Sequence, residues 1–168
     1  SGRVTGVQTC ALPIYRKDFI SSAFDLFIVI VIVLNLSVTL LQTFDELLQE
    51  AKKASRIGKV DAAMLARLRE VSVHYAKKGD LLYPVLSVRH GISGPSDVMW
   101  TVDDEIRDEL NSLAKAREQD QKWFARFEAV LQRAEDMIYK ENNILFPNCA
   151  VNFTEDEWAG IYQDSKDY

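Results

Sequence analysis

From residue 44 onward, apolar positions recur every three or four residues, the period of an amphipathic helix. Over 44–55, Phe44, Leu47, Leu48 and Ala51 share one side, and Gly58 ends the run. A second helix is predicted from about 61 to 88, with Leu65, Leu68, Val71, Leu81, Leu82 and Val85 on its buried face. Gly91, Gly94 and Pro95 then enforce a break. A third helix starts near Ser96 and carries Met99, Ile106, Leu110 and Leu113. The fourth runs from roughly 120 to 146, offers Phe124, Phe127, Leu131, Ala134, Ile138, Ile144 and Leu145 to the core, and is closed by Pro147. A short last helix follows, with Thr154 and Glu157 spaced as a capping box ahead of Trp158 and Ile161. Long amphipathic helices joined by short breaks predict an all-α, antiparallel four-helix bundle with an extra C-terminal helix.

Upstream the pattern changes. Residues 15–43 hold nine consecutive apolar residues, Leu26–Leu34, with Asp25 and Asn35 among the few interruptions. Three readings stand open: a frame artefact, a membrane or signal-anchor helix with Arg16 and Lys17 on the cytoplasmic side, or the first core helix of the bundle. Residues 1–14, SGRVTGVQTCALPI, lack any helical or strand period and resemble the in-frame translation of a sequencing-library adaptor. On that reading Cys10 is foreign, Cys149 is the native thiol, and the chain is a fragment whose true termini lie elsewhere.

Charge excludes little but not nothing. The net charge of -5 comes without a basic stripe, which argues against a nucleic-acid partner. Two cysteines at opposite ends of the chain make neither a disulfide framework nor a zinc site, and fit a reducing, cytoplasmic setting. There is no Gly-rich phosphate loop and no nucleophile elbow, so an enzyme is not expected.

The informative residues are ionisable ones on apolar stripes. His74 and Lys78 share a face with Val71, Leu81 and Val85. Asp103 lies in the row Met99, Ile106, Leu110, Leu113, and Glu141 in the row Phe127, Val130, Ala134, Met137, Ile144. A carboxylate at such a position needs an ion, a partner or a metal. His74, Asp103 and Glu141 are therefore the candidate metal ligands. Against this stand plainer readings: His74 as a hydrogen-bonded core histidine, Asp103 at a solvated bundle end, and Glu141 in an ion pair with Lys78 or His74. His90 reads as a cap of the second helix. Tyr75, Tyr83 and Tyr139 read as packing residues, and Trp100 and Trp123 as core or groove aromatics. The segments YAKKGDLLYP and IYKENNILFP also echo one another: aligning Pro84 with Pro147 sets Lys78 against Glu141 and His74 against Met137.

The stretches HYAKKGDLLYP, HGISGPSDVMWTVDDEIRDEL and MIYKENNILFPNCAVNFTEDEW resemble domain of unknown function 438, whose members look like hemerythrin-type HHE bundles. The resemblance covers roughly 44–168 and implies a bacterial signalling setting, with a PAS domain expected after the chain. It also implies a non-haem di-iron centre in true relatives. Here His74 matches the first H-x-x-x-E histidine, but Lys78 stands at its acidic position. Met137 replaces the second histidine, Glu141 keeps its carboxylate, and Asp103 falls where some relatives have a histidine. The expectation is thus a regulatory or sensory module, metal ligands largely lost and no cofactor bound. The alternative is an iron-holding sensor of oxygen or redox state. Expected partners are a missing C-terminal domain or a second copy, with a membrane only if 15–43 is genuine.

Overall fold

The structure, a computed structural model, describes residues 42–168. The adaptor-like stretch with Cys10 and nearly all of the 15–43 segment lie outside the described residues. Five helices follow: α1 (residues 42–56), α2 (62–89), α3 (Gly94–Lys115), α4 (121–152) and α5 (Glu155–Asp164), with no strand among the described residues. No helix among them is long and apolar enough to cross a membrane.

The ends of the helices follow from their residues. Gly58, at φ +65°, lets its own N–H reach Ser55 O at 3.0 Å and that of Lys59 reach Ala54 O at 2.9 Å, closing α1. Asp61 caps α2 by accepting from Met64 N, and Asp120 caps α4 by accepting from Trp123 N. Thr154 and Glu157 form the expected capping box of α5. The third helix begins two residues earlier than expected, at Gly94, with Pro95 in the first turn, where its missing N–H has no partner to lose.

Two helices are irregular at matching places. α2 runs through Ala62–Arg69 and Val71–Lys77, then widens into five-residue turns at Lys78–Leu82 and Val85–Arg89. α4 runs through Gln121–Lys140, widens at Glu141–Leu145, and continues through Phe146–Asn152. Pro147 therefore does not close the fourth helix, correcting the expectation. In a regular α-helix its ring would collide with the carbonyl four residues back. Here Phe146 N–H bonds Glu141 O, five residues back, as Tyr83 N–H bonds Lys78 O just before Pro84. The wide turn takes up the strain, and the helix passes through the proline. Past it, the side chains of Asn148 and Asn152 donate to Ile144 O and Asn148 O at 2.7 and 2.8 Å.

The wide turns also re-aim the core. Tyr83 and Leu86 are buried on α2, whereas Leu81, Leu82 and Val85 are half-buried. Ile144, expected in the core, is 40 % exposed, while Leu145 and Cys149 are fully buried. Tyr139, expected to pack, is exposed.

Polar pairs fix the arrangement. As partners rise along α3 they fall along α4: Glu105 with Arg133, Glu109 with Arg126, Leu113 O with Trp123 Nε1. The same holds for α1 and α4, through Gln49 with Glu135 and Ser55 with Glu128. It holds again for α2 and α3, through Arg69 with Asn111 and Lys78 with Asp103. Neighbouring helices are antiparallel, and α2 faces α4 across the centre through Lys78 and Glu141. The fold is the expected all-α bundle. α5 is tied back to α2 through His90, whose Nε2 lies 3.0 Å from Glu157 Oε2 and whose ring stacks on Phe153. His90 is also the C-cap of α2, its backbone N–H bonding Ser87 O, and Gly91, at φ +68°, turns the chain out of the helix just after it.

Candidate functional site: a buried ionic cluster

Where α2 and α4 widen, four charged or ionisable side chains from three helices meet inside the bundle. Lys78 Nζ donates to Asp103 Oδ1 on α3 at 2.8 Å and to Glu141 Oε1 on α4. His74, one helical turn before Lys78, places Nε2 2.9 Å from Glu141 Oε2. Glu141 is wholly buried, Lys78 and Asp103 are nearly so, and His74 is half-buried.

Two tyrosines complete the surroundings. Lys78 Nζ stands 4.5 Å from the centroid of the Tyr75 ring, within the range of a cation–π contact. Tyr83 Oη donates to Asp103 Oδ2 at 3.2 Å. Each carboxylate thus has both oxygens engaged, and the ammonium has two anions and an aromatic face. That is the satisfaction a buried charge requires. Tyr75 Oη is the exception, buried without a hydrogen-bond partner among the described residues.

The two carboxyls respond differently to burial. For Asp103, desolvation outweighs the pull of Lys78, and its pKa is pushed up to about 6. For Glu141, desolvation also favours the neutral form, but the His74 hydrogen bond and the Lys78 charge together overcome it. The Glu141 carboxyl is held below its ordinary range. Burial and the nearby carboxylates raise both tyrosine hydroxyls, so Tyr83 acts towards Asp103 as a donor.

All three candidate ligands are therefore brought together, but around an ammonium. Asp103, which could have sat at a solvated bundle end, is inside. His74, Asp103 and Glu141 do not converge on a common point: among the described residues no group of three or more His, Cys, Asp or Glu is arranged to hold a metal ion. The chemistry of the set points the same way. A cation placed between Asp103 and Glu141 would meet the Lys78 charge directly. As arranged, these residues do not fit a resident metal.

Lys78 and Glu141 are legible as inward residues from the helical period. The parts of Tyr75 and Tyr83 are not. Tyr83 is five residues from Lys78, out of α-helical register with it, and only the wide turn brings its hydroxyl to Asp103. The echo around Pro84 and Pro147 holds the signal, because two of the three five-residue turns begin six residues before those prolines, at Lys78 and at Glu141.

Outside the cluster, a groove between α2 and α3 is lined by Tyr83, Ser87, Asp97, Trp100 and Thr101. Trp100 is a groove residue and Trp123 a core one, 45 % and 3 % exposed.

Compared with known families, residues 38–149 match the hemerythrin HHE cation-binding domain. No curated protein matches the chain. The match spans most of the chain, and the chain belongs to the hemerythrin HHE family.

Proposed function

We propose that this member of the hemerythrin HHE family is a non-catalytic regulatory or sensory domain that works without a resident metal. Within the family we place it with the bundles of domain of unknown function 438, and its expected setting is a larger signalling protein. The observation that carries the reading is the Lys78 ammonium lodged between Asp103 and Glu141, at the centre of a bundle whose family binds cations. A side chain that is both buried and paired with carboxylates offers neither a nucleophile nor an open coordination position. Such a domain acts through how its helices pack, towards a second copy or a neighbouring domain.

Elemental analysis for iron and zinc, with a visible absorption spectrum, on the full chain tests this. A folded helical protein with no stoichiometric metal is the expected result. Near one iron per chain, lost on His74→Ala or Glu141→Gln, would overturn it. That outcome would support the second reading, a non-haem iron domain sensing oxygen or redox state, which the contact of His74 with Glu141 in an HHE bundle favours.

A further inference from the structure

We infer that the Lys78 ammonium and a divalent metal ion are mutually exclusive occupants of the Asp103–Glu141 carboxylate pair, so that Lys78 serves as a tethered cation holding metal out. The inference rests on the metal-independent reading above and adds a latent site to it.

The geometry around Nζ is what a cation site offers. Two carboxylates from different helices approach from α3 and α4, and the ring of Tyr75 lies 4.5 Å away. An imidazole nitrogen stands on the far oxygen of one carboxylate, at 2.9 Å. Asp103 and Glu141 are 4 % and 0 % exposed, so solvent cannot screen their charge and it must be neutralised from within. Lys78 reaches them from α2 on a four-carbon stem that is itself buried. An ammonium carries a single charge and three donors, and it is covalently held, so no dissolved ion competes on equal terms.

Removing the ammonium while keeping the carboxylates should uncover the site. In Lys78→Glu a shorter side chain ends in a carboxylate just short of the place of the ammonium, which leaves that place to an ion. Together with Asp103 and Glu141, that substitution would present three carboxylates, with the His74 imidazole behind Glu141 on its far oxygen. Such an oxygen-rich set suits Mn2+. In Lys78→Gln the site gains a neutral amide, and metal binding should be weaker.

The test compares wild type, Lys78→Glu, Lys78→Gln and the double variant Lys78→Glu/Glu141→Gln, all as the full chain. Each is loaded with Mn2+, desalted and analysed for metal, then unfolded thermally with Mn2+ or with a chelator. Lys78→Glu should retain about one Mn2+ per chain and gain on the order of 10 °C at a hundredfold excess over its dissociation constant. If it is unfolded under chelator, Mn2+ should restore its helical circular dichroism. Wild type and the double variant should retain none and show no shift.

Stoichiometric Mn2+ on wild type, with Lys78 unchanged, would overturn both this inference and the proposed function. Lys78→Glu and Lys78→Gln that fold without taking metal, or stay unfolded in its presence, would overturn the inference alone and leave the proposed function standing.

Discussion

The bundle has two halves built on different physics. Where α3 turns into α4, the core is Leu110, Leu113, Trp123 and Phe127, with the Trp123 and Phe127 rings stacked at 5.0 Å between centroids. The helices there are regular, and the polar needs of the core are met: the Trp123 indole donates to Leu113 O at 3.1 Å and the Ser55 hydroxyl to Glu128 at 3.1 Å. Further along, at the same depth, lie Lys78, Asp103 and Glu141, and α2 and α4 widen there. The first half gains its stability mainly from burial. In the second, much of the electrostatic attraction is offset by desolvating the ions it brings together. Buried apolar residues, Tyr83, Leu86, Met137 and Leu145, surround the cluster too, so the contrast lies in the ions and the wide turns that this half adds.

Cutting into the apolar half should have the largest effect. Phe127→Ala is expected to lose about 3–5 kcal/mol in urea unfolding, because the ring is fully buried and stacked on Trp123, and its removal leaves a gap in a close-packed core. A loss below about 1 kcal/mol would show that this half is loosely packed and would dissolve the contrast.

Lys78→Met should follow, at about 3 kcal/mol, since two buried carboxylates lose their cation but can partly recover by taking up protons. The sharper comparison is the triple variant Lys78→Met/Asp103→Leu/Glu141→Leu. If the cluster is not there for stability, the triple variant should return to within about 1 kcal/mol of wild type or exceed it. A triple variant as weak as the single one would mean that the ions hold this half as firmly as the aromatics hold the other.

Loss of a helix cap is expected to rank third. Asp120→Ala removes the acceptor for Trp123 N at the start of α4 and should cost about 1 kcal/mol, read as a shift in the urea midpoint. Were the effect nil, water would be capping α4 as well as the carboxylate does.

The smallest effect is expected at the clasp to α5. The Thr154 backbone N–H, followed by His90, holds the Glu157 carboxyl down at about 2, against an ordinary 4.5. A depressed carboxyl stabilises the fold above its unfolded value and loses that contribution as pH falls from about 4.5 to about 2. Glu157→Gln should therefore flatten the acid limb of thermal stability over that window, with little change in slope near neutrality. An unchanged acid limb would show that the clasp does not report on folding.

Most of the apolar half is legible in the sequence, because regular helices obey the 3.6-residue period and the caps obey local chemistry. Gly58, Asp61, Asp120 and the Thr154–Glu157 box each declare a boundary within a few residues. The polar half is legible only up to the wide turns. The period places His74, Lys78, Asp103 and Glu141 inward, and it leaves the pairing of Glu141 with Lys78 as one reading among several. Past Lys78 and Glu141 the period slips by one residue. An uninterrupted stripe consequently puts Ile144 inside, gives Tyr83 no part in the cluster, and makes Pro147 a stop. Nothing in a single helical stripe records a five-residue turn; the clue lies in comparing two stripes that end in the same proline.

Those paired turns have a mechanical meaning. A helix is a stiff rod, and a wide turn next to a proline is its most compliant section. α2 and α4 carry that section at the same height, since Lys78 and Glu141, which open the turns, touch. The ion cluster thus sits where both rods leave their regular hydrogen-bond ladder, and it ties them to one another and to α3 at that level.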